Sequence, residues 1–152
     1  TYTALVWGAL KQKQGTITGN IGRSTANRQK MAVLKTGGKP AVTHYKVVAS
    51  YQSPVTSLVE CNLETGRTHQ IRVHFAHMGN TLVGDPVYGG GTANRIKGMR
   101  IDEDKKSALL GFTRQALHAK ELGLIHPATG KHMQFSCELP EDMRVLISAL
   151  EN

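Results

Sequence analysis

The chain has 152 residues, 39% of them hydrophobic and 20% charged, with a formal net charge of +8. That length holds one domain with a real core and hardly two. No apolar run approaches the roughly 18–20 residues of a helical membrane span and no signal-peptide pattern opens the sequence, so a soluble, cytoplasmic protein with no membrane partner is expected.

The charge is distributed unevenly. Between Thr1 and Val59 stand eight cations (Lys11, Lys13, Arg23, Arg28, Lys30, Lys35, Lys39 and Lys46) and no Asp or Glu. A one-signed stretch of this length attracts a polyanion, and nucleic acid is the commonest one. The two cysteines, Cys61 and Cys137, lie far apart in apolar, strand-like runs. They read as buried free thiols of a reducing compartment rather than as a disulfide or metal pair.

In chain order, Tyr2 to Trp7 reads as a strand from its aromatic and branched content. It begins without a Met, which predicts a fragment or a processed chain. Gly8 to Gly22 predicts turns around a short extended piece. Arg23 to Lys39 predicts a basic loop with a brief strand at Met31–Leu34, suited to following a phosphate backbone. Val42–Tyr51 and Val55–Leu63 alternate in polarity about Gln52-Ser53-Pro54 and predict an antiparallel hairpin.

A short helix follows, predicted to be capped by Thr68 and ended by Gly79. Ile71, Phe75 and Met78 would form its apolar stripe, leaving His69, Gln70, Arg72 and His74 to be presented on the other side. Thr92 to Lys106 is polar and without period, which predicts a mobile surface loop. Gln115–Ala119 and Leu122–Ile125 are short apolar pieces, Pro127–Gly130 is a turn, and His132–Glu138 predicts a strand. The last element is a helix with Pro140 in its first turn, Glu141 and Asp142 against its dipole, and Met143, Leu146, Ile147 and Leu150 buried. Strands feeding a helix and returning to strands imply an α+β fold, with helices on one side of the sheet.

Seven histidines are present, but His74 and His77 stand three apart with no acid beside them, so no metal site is expected. Gly84-Asp85-Pro86 with Gly89-Gly90-Gly91 lacks the order of a phosphate loop. Asp85, before a proline, reads as a structural Asx-turn residue. From residues alone the expectation ends at a basic α+β domain that faces RNA or DNA.

The block from Leu63 to His74, L-E-T-G-R-T-H-Q-I-R-V-H, followed by L-V-G-D-P-V-Y-G from Leu82 to Gly89, strongly resembles the RluA/RluD family of RNA pseudouridine synthases. G-K-P-A-V-T-H-Y from Gly38, R-Q-A-L-H-A from Arg114 and H-P-A-T-G from His126 extend the similarity in order across essentially the whole chain. The resemblance implies a mixed, mainly antiparallel sheet with flanking helices. It implies isomerisation of uridine to pseudouridine in large-subunit rRNA, with tRNA a further candidate, without cofactor or metal and by a protein that is monomeric when complete. An aspartate attacks the target nucleotide, which is flipped out of its stack.

Carried over by position, Arg72 matches the arginine that ion-pairs with the nucleophile. Tyr2 matches the tyrosine that stacks on the flipped base, and Leu117 lines the pocket. Arg67, His69, Gln70, Arg28, Lys30 and Arg23 are expected to contact RNA. The family's H-R-L-D segment, which carries the nucleophile, has no counterpart among Asp85, Asp102, Asp104 and Asp142. Residues 1–152 are therefore expected to be the C-terminal portion of a catalytic domain, inactive alone, lacking the nucleophile and any S4-like module. The alternatives are a non-catalytic RNA-binding module or degenerate paralogue, and, on charge alone, a DNA- or membrane-binding domain.

Overall fold

The alternating side-chain directions of the first strand divide the core in two. The computed structural model describes residues 1–152, with Leu122 described by its backbone alone. Strand β1 (Tyr2–Trp7) carries Ala4 and Val6 on one face and Leu5 and Trp7 on the other, because successive side chains of a strand point to opposite sides. It runs between β6 (Val55–Leu63) and β7 (Leu117–Ala119), antiparallel to both. With β2 (Gln14–Thr18) and β5 (Val42–Gln52) they form a five-stranded sheet in the order β2-β5-β6-β1-β7. Every pairing within it is antiparallel, and β5–β6 is the hairpin expected about Ser53-Pro54.

Helices cover both faces, not one. On the first, Ile71 and Phe75 of α1 (Gln70–His77) pack with Leu82 against Ala4, Val6, Val59 and Cys61. On the second, α2 (Thr92–Ile96), α3 (Glu103–Gly111) and α4 (Glu141–Glu151) bring Ile96, Leu109, Met143 and Leu146 against Leu5 and Trp7. Two small sheets complete the chain: β3 (Ile21–Arg23) with β4 (Met31–Val33), and β8 (Glu121–Ile125) with β9 (His132–Ser136).

Helix α4 follows its sequence pattern closely. Met143, Leu146, Ile147 and Leu150 are all buried, and each such side chain contributes roughly 1.5–3 kcal/mol of transfer free energy. Residues 92–106 depart from expectation, because α2 and the first turn of α3 replace the loop. Asp102 caps α3 by accepting from the Asp104 N–H, and Ile96 and Leu109 anchor a stretch whose exposed remainder hides any period. Cys137 is exposed rather than buried, while Cys61 is buried and its thiol is pushed up to about 12 by burial.

Helix α1 also departs from its expected start. Thr68 is not its cap; His69 occupies that position in a left-handed conformation, φ 55°, with no side-chain capping bond. At the other end Gly79, φ 83°, ends the helix as expected. Its N–H donates to the Ala76 carbonyl and the Asn80 N–H to that of Phe75, the paired bonds of a Schellman motif.

After Asn80 the chain threads back along β1. The Trp7 N–H donates to Thr81 O, the Val83 N–H to Leu5 O, and the Ala116 N–H to Val83 O. This lacing delivers Gly84 and Asp85 to a fixed place beside α1. Gly84 has φ 77°, and a Cβ there would lie 2.2 Å from the Arg114 carbonyl oxygen. Gly84→Ala is therefore expected to lower unfolding free energy by about 2–4 kcal/mol, from left-handed strain plus displacement of that backbone. Urea titration would check this, and a loss well below that range would mean that the 81–85 segment is not rigidly held.

Candidate active site

The loop from Glu64 to His69 is organised by one amide. Gln70, buried at the first turn of α1, donates from its Nε2 to the Val42 carbonyl and to Thr43 Oγ1, while its Oε1 accepts from Thr65 Oγ1 and from the Arg67 N–H. All four of its hydrogen-bonding valences are satisfied inside the protein. Gln70, expected as an RNA contact, lines the cleft beside Arg72 but has its side-chain hydrogen bonds committed to tying α1 to β5. His74 is turned inward as well. It is fully buried, with Nδ1 2.8 Å from Thr43 Oγ1 and Nε2 3.3 Å from Gly19 O. The Met78 end of the expected apolar stripe is, conversely, exposed. The helix is buried on nearly every side because β3–β4 and β5 enclose it.

Arg72 is the largest departure. The sequence reading has its guanidinium waiting for a carboxylate from outside the chain. Instead, Nε donates to Asp85 Oδ2 at 2.7 Å and Nη2 to Oδ1 at 2.9 Å, a fork-on-fork pair whose Asp85 side chain is 0% exposed. Asp85 Oδ1 also accepts from the N–H groups of Val87 and Tyr88, the Asx turn expected from Asp85-Pro86. Burial pushes the Asp85 carboxyl up, but the bonds from Arg72, Tyr88 and Val87 outweigh it and hold it below the usual carboxylate range. The Asp85 hydrogen bond conversely raises Arg72. Nη1 has no protein partner among the described residues, yet it is not buried without a partner. One edge of the guanidinium is thus committed to Asp85, and one nitrogen is left at the surface.

That surface is a cleft of about 300 Å³, whose lining includes Tyr2, Leu63, Arg67, His69, Arg72 and Leu117. Tyr2 and Leu117 meet because β1 pairs with β7 with Ala4 opposite Leu117 and Tyr2 opposite Ala119. The residues expected to stack on the base, pair with the nucleophile and line the pocket, Tyr2, Arg72 and Leu117, thus line one cleft. Through Gly66 and Arg67 the cleft continues into a depression of about 410 Å³ whose lining includes Arg23, Met31 and Lys39. Arg23 and Arg28 are exposed on the β3–β4 hairpin, where Arg23 Nη1 donates to the Arg28 carbonyl. Lys30 lies 6.0 Å from the Tyr88 ring centroid. Arg67 is half-buried and fixed by an Nε bond of 2.8 Å to Pro40 O. A still larger cavity, about 460 Å³, lies at the far end of β1 between Trp7 and Met99. Its lining holds no acid or histidine and none of the residues expected to act at the site.

Sequence reasoning missed Tyr88, although it stands inside the L-V-G-D-P-V-Y-G run. Its hydroxyl accepts from the Met31 N–H at 3.1 Å and lies 2.9 Å from His69 Nδ1, and its ring lies 5.1 Å from the Arg72 guanidinium. An aromatic residue three positions after an Asx-turn aspartate was the available signal. Lys39 and Gln115, which line the two depressions, were also missed.

The RNA pseudouridylate synthase family model matches residues 1–77, just over half of the 152-residue chain. The chain belongs to the RNA pseudouridylate synthase family. It is 45% identical over 152 residues to ribosomal large subunit pseudouridine synthase D of Zymomonas mobilis subsp. mobilis, an alignment covering 98% of this chain and 44% of that protein. It is 48% identical over 149 residues to the protein of the same name from Pseudomonas aeruginosa, covering 98% and 44%. The solved structure of human RNA pseudouridylate synthase domain containing 1 superposes with a TM-score of 0.68 at 25% identity, over 99% of this chain and 64% of that one. The chain thus spans less than half the length of these curated relatives. Among the described residues no helix is long and apolar enough to cross a membrane.

The perturbed groups set the acid response of this family member. Burial lowers His69 and His74, in His69 with the Arg72 cation adding to it, so the unfolded chain binds these protons more readily than the folded one. Stability is then present above the ordinary histidine value near 6.5 and lost below it. Asp85, also depressed, adds a second loss as pH falls below about 4. Unfolding free energy should therefore fall in two stages on acidification, and Asp85→Asn should flatten the lower one. Asp85→Ala, which strands a buried guanidinium, should cost about 3–5 kcal/mol, whereas the paired change Arg72→Met with Asp85→Leu should cost much less. Denaturant titrations across pH would show it; equal costs for the single and the paired change would contradict a desolvated ion pair.

Proposed function

We propose that this chain is the C-terminal part of a catalytic domain that isomerises uridine to pseudouridine in large-subunit rRNA. The observation that carries the reading is the single cleft joining Tyr2, Arg72 and Leu117 in a member of this family whose relatives bear that name. Tyr2 supplies a ring against which an unstacked base lies, Leu117 an apolar wall, and the free Nη1 of Arg72 a cationic donor for a carboxylate entering the cleft. Arg67, Arg23, Arg28 and Lys30 follow the RNA backbone along the adjoining depression. The chemistry as proposed needs neither metal nor cofactor.

The nucleophilic aspartate comes from polypeptide outside these 152 residues. Asp85 is unsuited to attack, since its side chain is 0% exposed and its oxygens already accept four bonds. Asp102 caps α3, and Asp142, which does not line the cleft, accepts from Nε and Nη2 of Arg114. Asp104 lies exposed in the first turn of α3. One observation favours a second reading, a binding module without chemistry: the charge of Arg72 is already matched by Asp85.

Pseudouridine mapping in rRNA and tRNA decides between them. Full-length protein encoded by the same gene should modify rRNA, and the 152-residue chain alone should not. The paired variant Arg72→Met/Asp85→Leu in the full-length protein should remain folded and lose turnover; single Arg72→Ala is a poor probe because it exposes the chain to unfolding. Efficient modification by the isolated chain would sink the external-nucleophile reading, and none by the full-length protein would favour the binding module. Arg28→Ala should weaken RNA affinity and lower the salt slope by about one, which nitrocellulose filter binding over a salt series would reveal.

A further inference from the structure

Three atoms near the mouth of the cleft form a directed chain. The Met31 N–H, in β4, donates to the phenolic oxygen of Tyr88 at 3.1 Å, and that oxygen lies 2.9 Å from Nδ1 of His69. A phenol has one proton to donate, and the Met31 N–H already donates to its oxygen. Among the described residues the partner for the Tyr88 proton is Nδ1 of His69, and the arrangement that uses it makes Nδ1 the unprotonated nitrogen. The remaining proton of the neutral imidazole sits on Nε2, which has no protein partner among the described residues.

The surroundings reinforce that state. Burial, and next the Arg72 cation on α1, disfavour an imidazolium at His69; Asp85, in the turn after Leu82, opposes them and is outweighed. Lys30 and Arg72 both stand against the Tyr88 ring. The His69 and Tyr88 rings meet edge to face, 5.7 Å apart at 82°. Finally, His69 is the only non-glycine residue with positive φ among those described. Left-handed strain of this kind costs on the order of 1–3 kcal/mol and persists where the surroundings over-determine it.

We infer that Tyr88 is a positioning residue that locks His69 as its Nε2–H tautomer, so that His69 offers the cleft a fixed, uncharged donor for a backbone phosphate oxygen of bound RNA. Phosphate is the acceptor the surroundings select, because Arg67 and Arg72 line the same cleft and no exposed acid does. The role rests on the proposed function for its ligand but not for its geometry. Being neutral, the donor releases no counterion, so it contributes affinity and orientation without adding to the salt slope. It also ties the site to the β3–β4 hairpin, since the relay begins at a backbone amide of β4.

Nitrogen-15 NMR of this chain tests the relay directly. The His69 ring should show an imine-type Nδ1 and a protonated Nε2, and Tyr88→Phe should convert it to a mixture of tautomers. A protonated Nδ1 in the wild type, or spectra unmoved by Tyr88→Phe, overturns the assignment. Filter binding to a uridine-containing single-stranded RNA supplies the second reading. His69→Gly, which suits the left-handed backbone, should lose about fivefold in affinity and Tyr88→Phe about threefold, each with the salt slope unchanged, while the donor-preserving His69→Gln stays within about twofold.

The His69 contribution should also be level between pH 6 and 8. Strengthening on acidification would mean a charged imidazolium contact and would overturn the neutral-donor claim, as would undiminished affinity in both His69→Gly and Tyr88→Phe. If Tyr88→Phe fails to fold, the wild-type tautomer and His69→Gln decide the question. Absence of RNA binding by the wild type overturns the proposed function and the phosphate role, while the spectra still decide the tautomer.

Discussion

The pairing of Arg72 with Asp85 is the constraint on which the rest of the molecule depends. An arginine that is almost wholly buried is tolerable only with a charged and geometrically matched partner. Supplying that partner dictates the path of the chain after α1: a Schellman stop at Gly79, a return along β1, and a glycine at 84 where only a hydrogen fits. The Asx turn then uses Oδ1 of Asp85 to hold the N–H groups of Val87 and Tyr88. One ion pair thereby connects the helix, the central strand and the turn that carries Tyr88.

From that pair, order passes outward in two directions. Through Tyr88 it reaches His69 and the β3–β4 hairpin, where Arg23, Arg28 and Lys30 stand. Through α1 it reaches Gln70, which binds β5 and the Glu64–His69 loop into one network. The cleft is thus walled by residues held by polar bonds, the buried Gln70 and Arg72 among them, while Arg23 and Arg28 stand exposed on the adjoining hairpin. The lowered histidines fit the same picture, since burial disfavours the charged ring in both.

The Arg72–Asp85 pair also changes what the arginine can do. A guanidinium with both Nε and Nη2 bound to one carboxylate is aimed by that carboxylate and carries part of its charge already balanced. It can hold a second anion through Nη1 without being drawn out of place, because the first partner anchors it against the sheet. Its orientation is a property of the fold and not of the ligand.

Much of this protein was legible from residue order alone. Local periodicity determined the β5–β6 hairpin and the buried face of α4, and aromatic and branched content determined strand β1, because each depends on neighbours within a few positions. The short motifs in L-E-T-G-R-T-H-Q-I-R-V-H and L-V-G-D-P-V-Y-G carried the family, and the acid-free stretch from Thr1 to Val59 carried the basic character. What only the tertiary structure decided was which polar side chains face inward. Gln70, His74 and Arg72 read as a presented surface, yet each meets a partner from a distant segment: Val42 and Thr43, Thr43 and Gly19, and Asp85. The same holds for Tyr88 and for the helices within 92–106, whose few buried residues are too sparse to show a period. Burial of a polar group is settled by long-range hydrogen-bond partners, and sequence spacing within one helix contains no record of them.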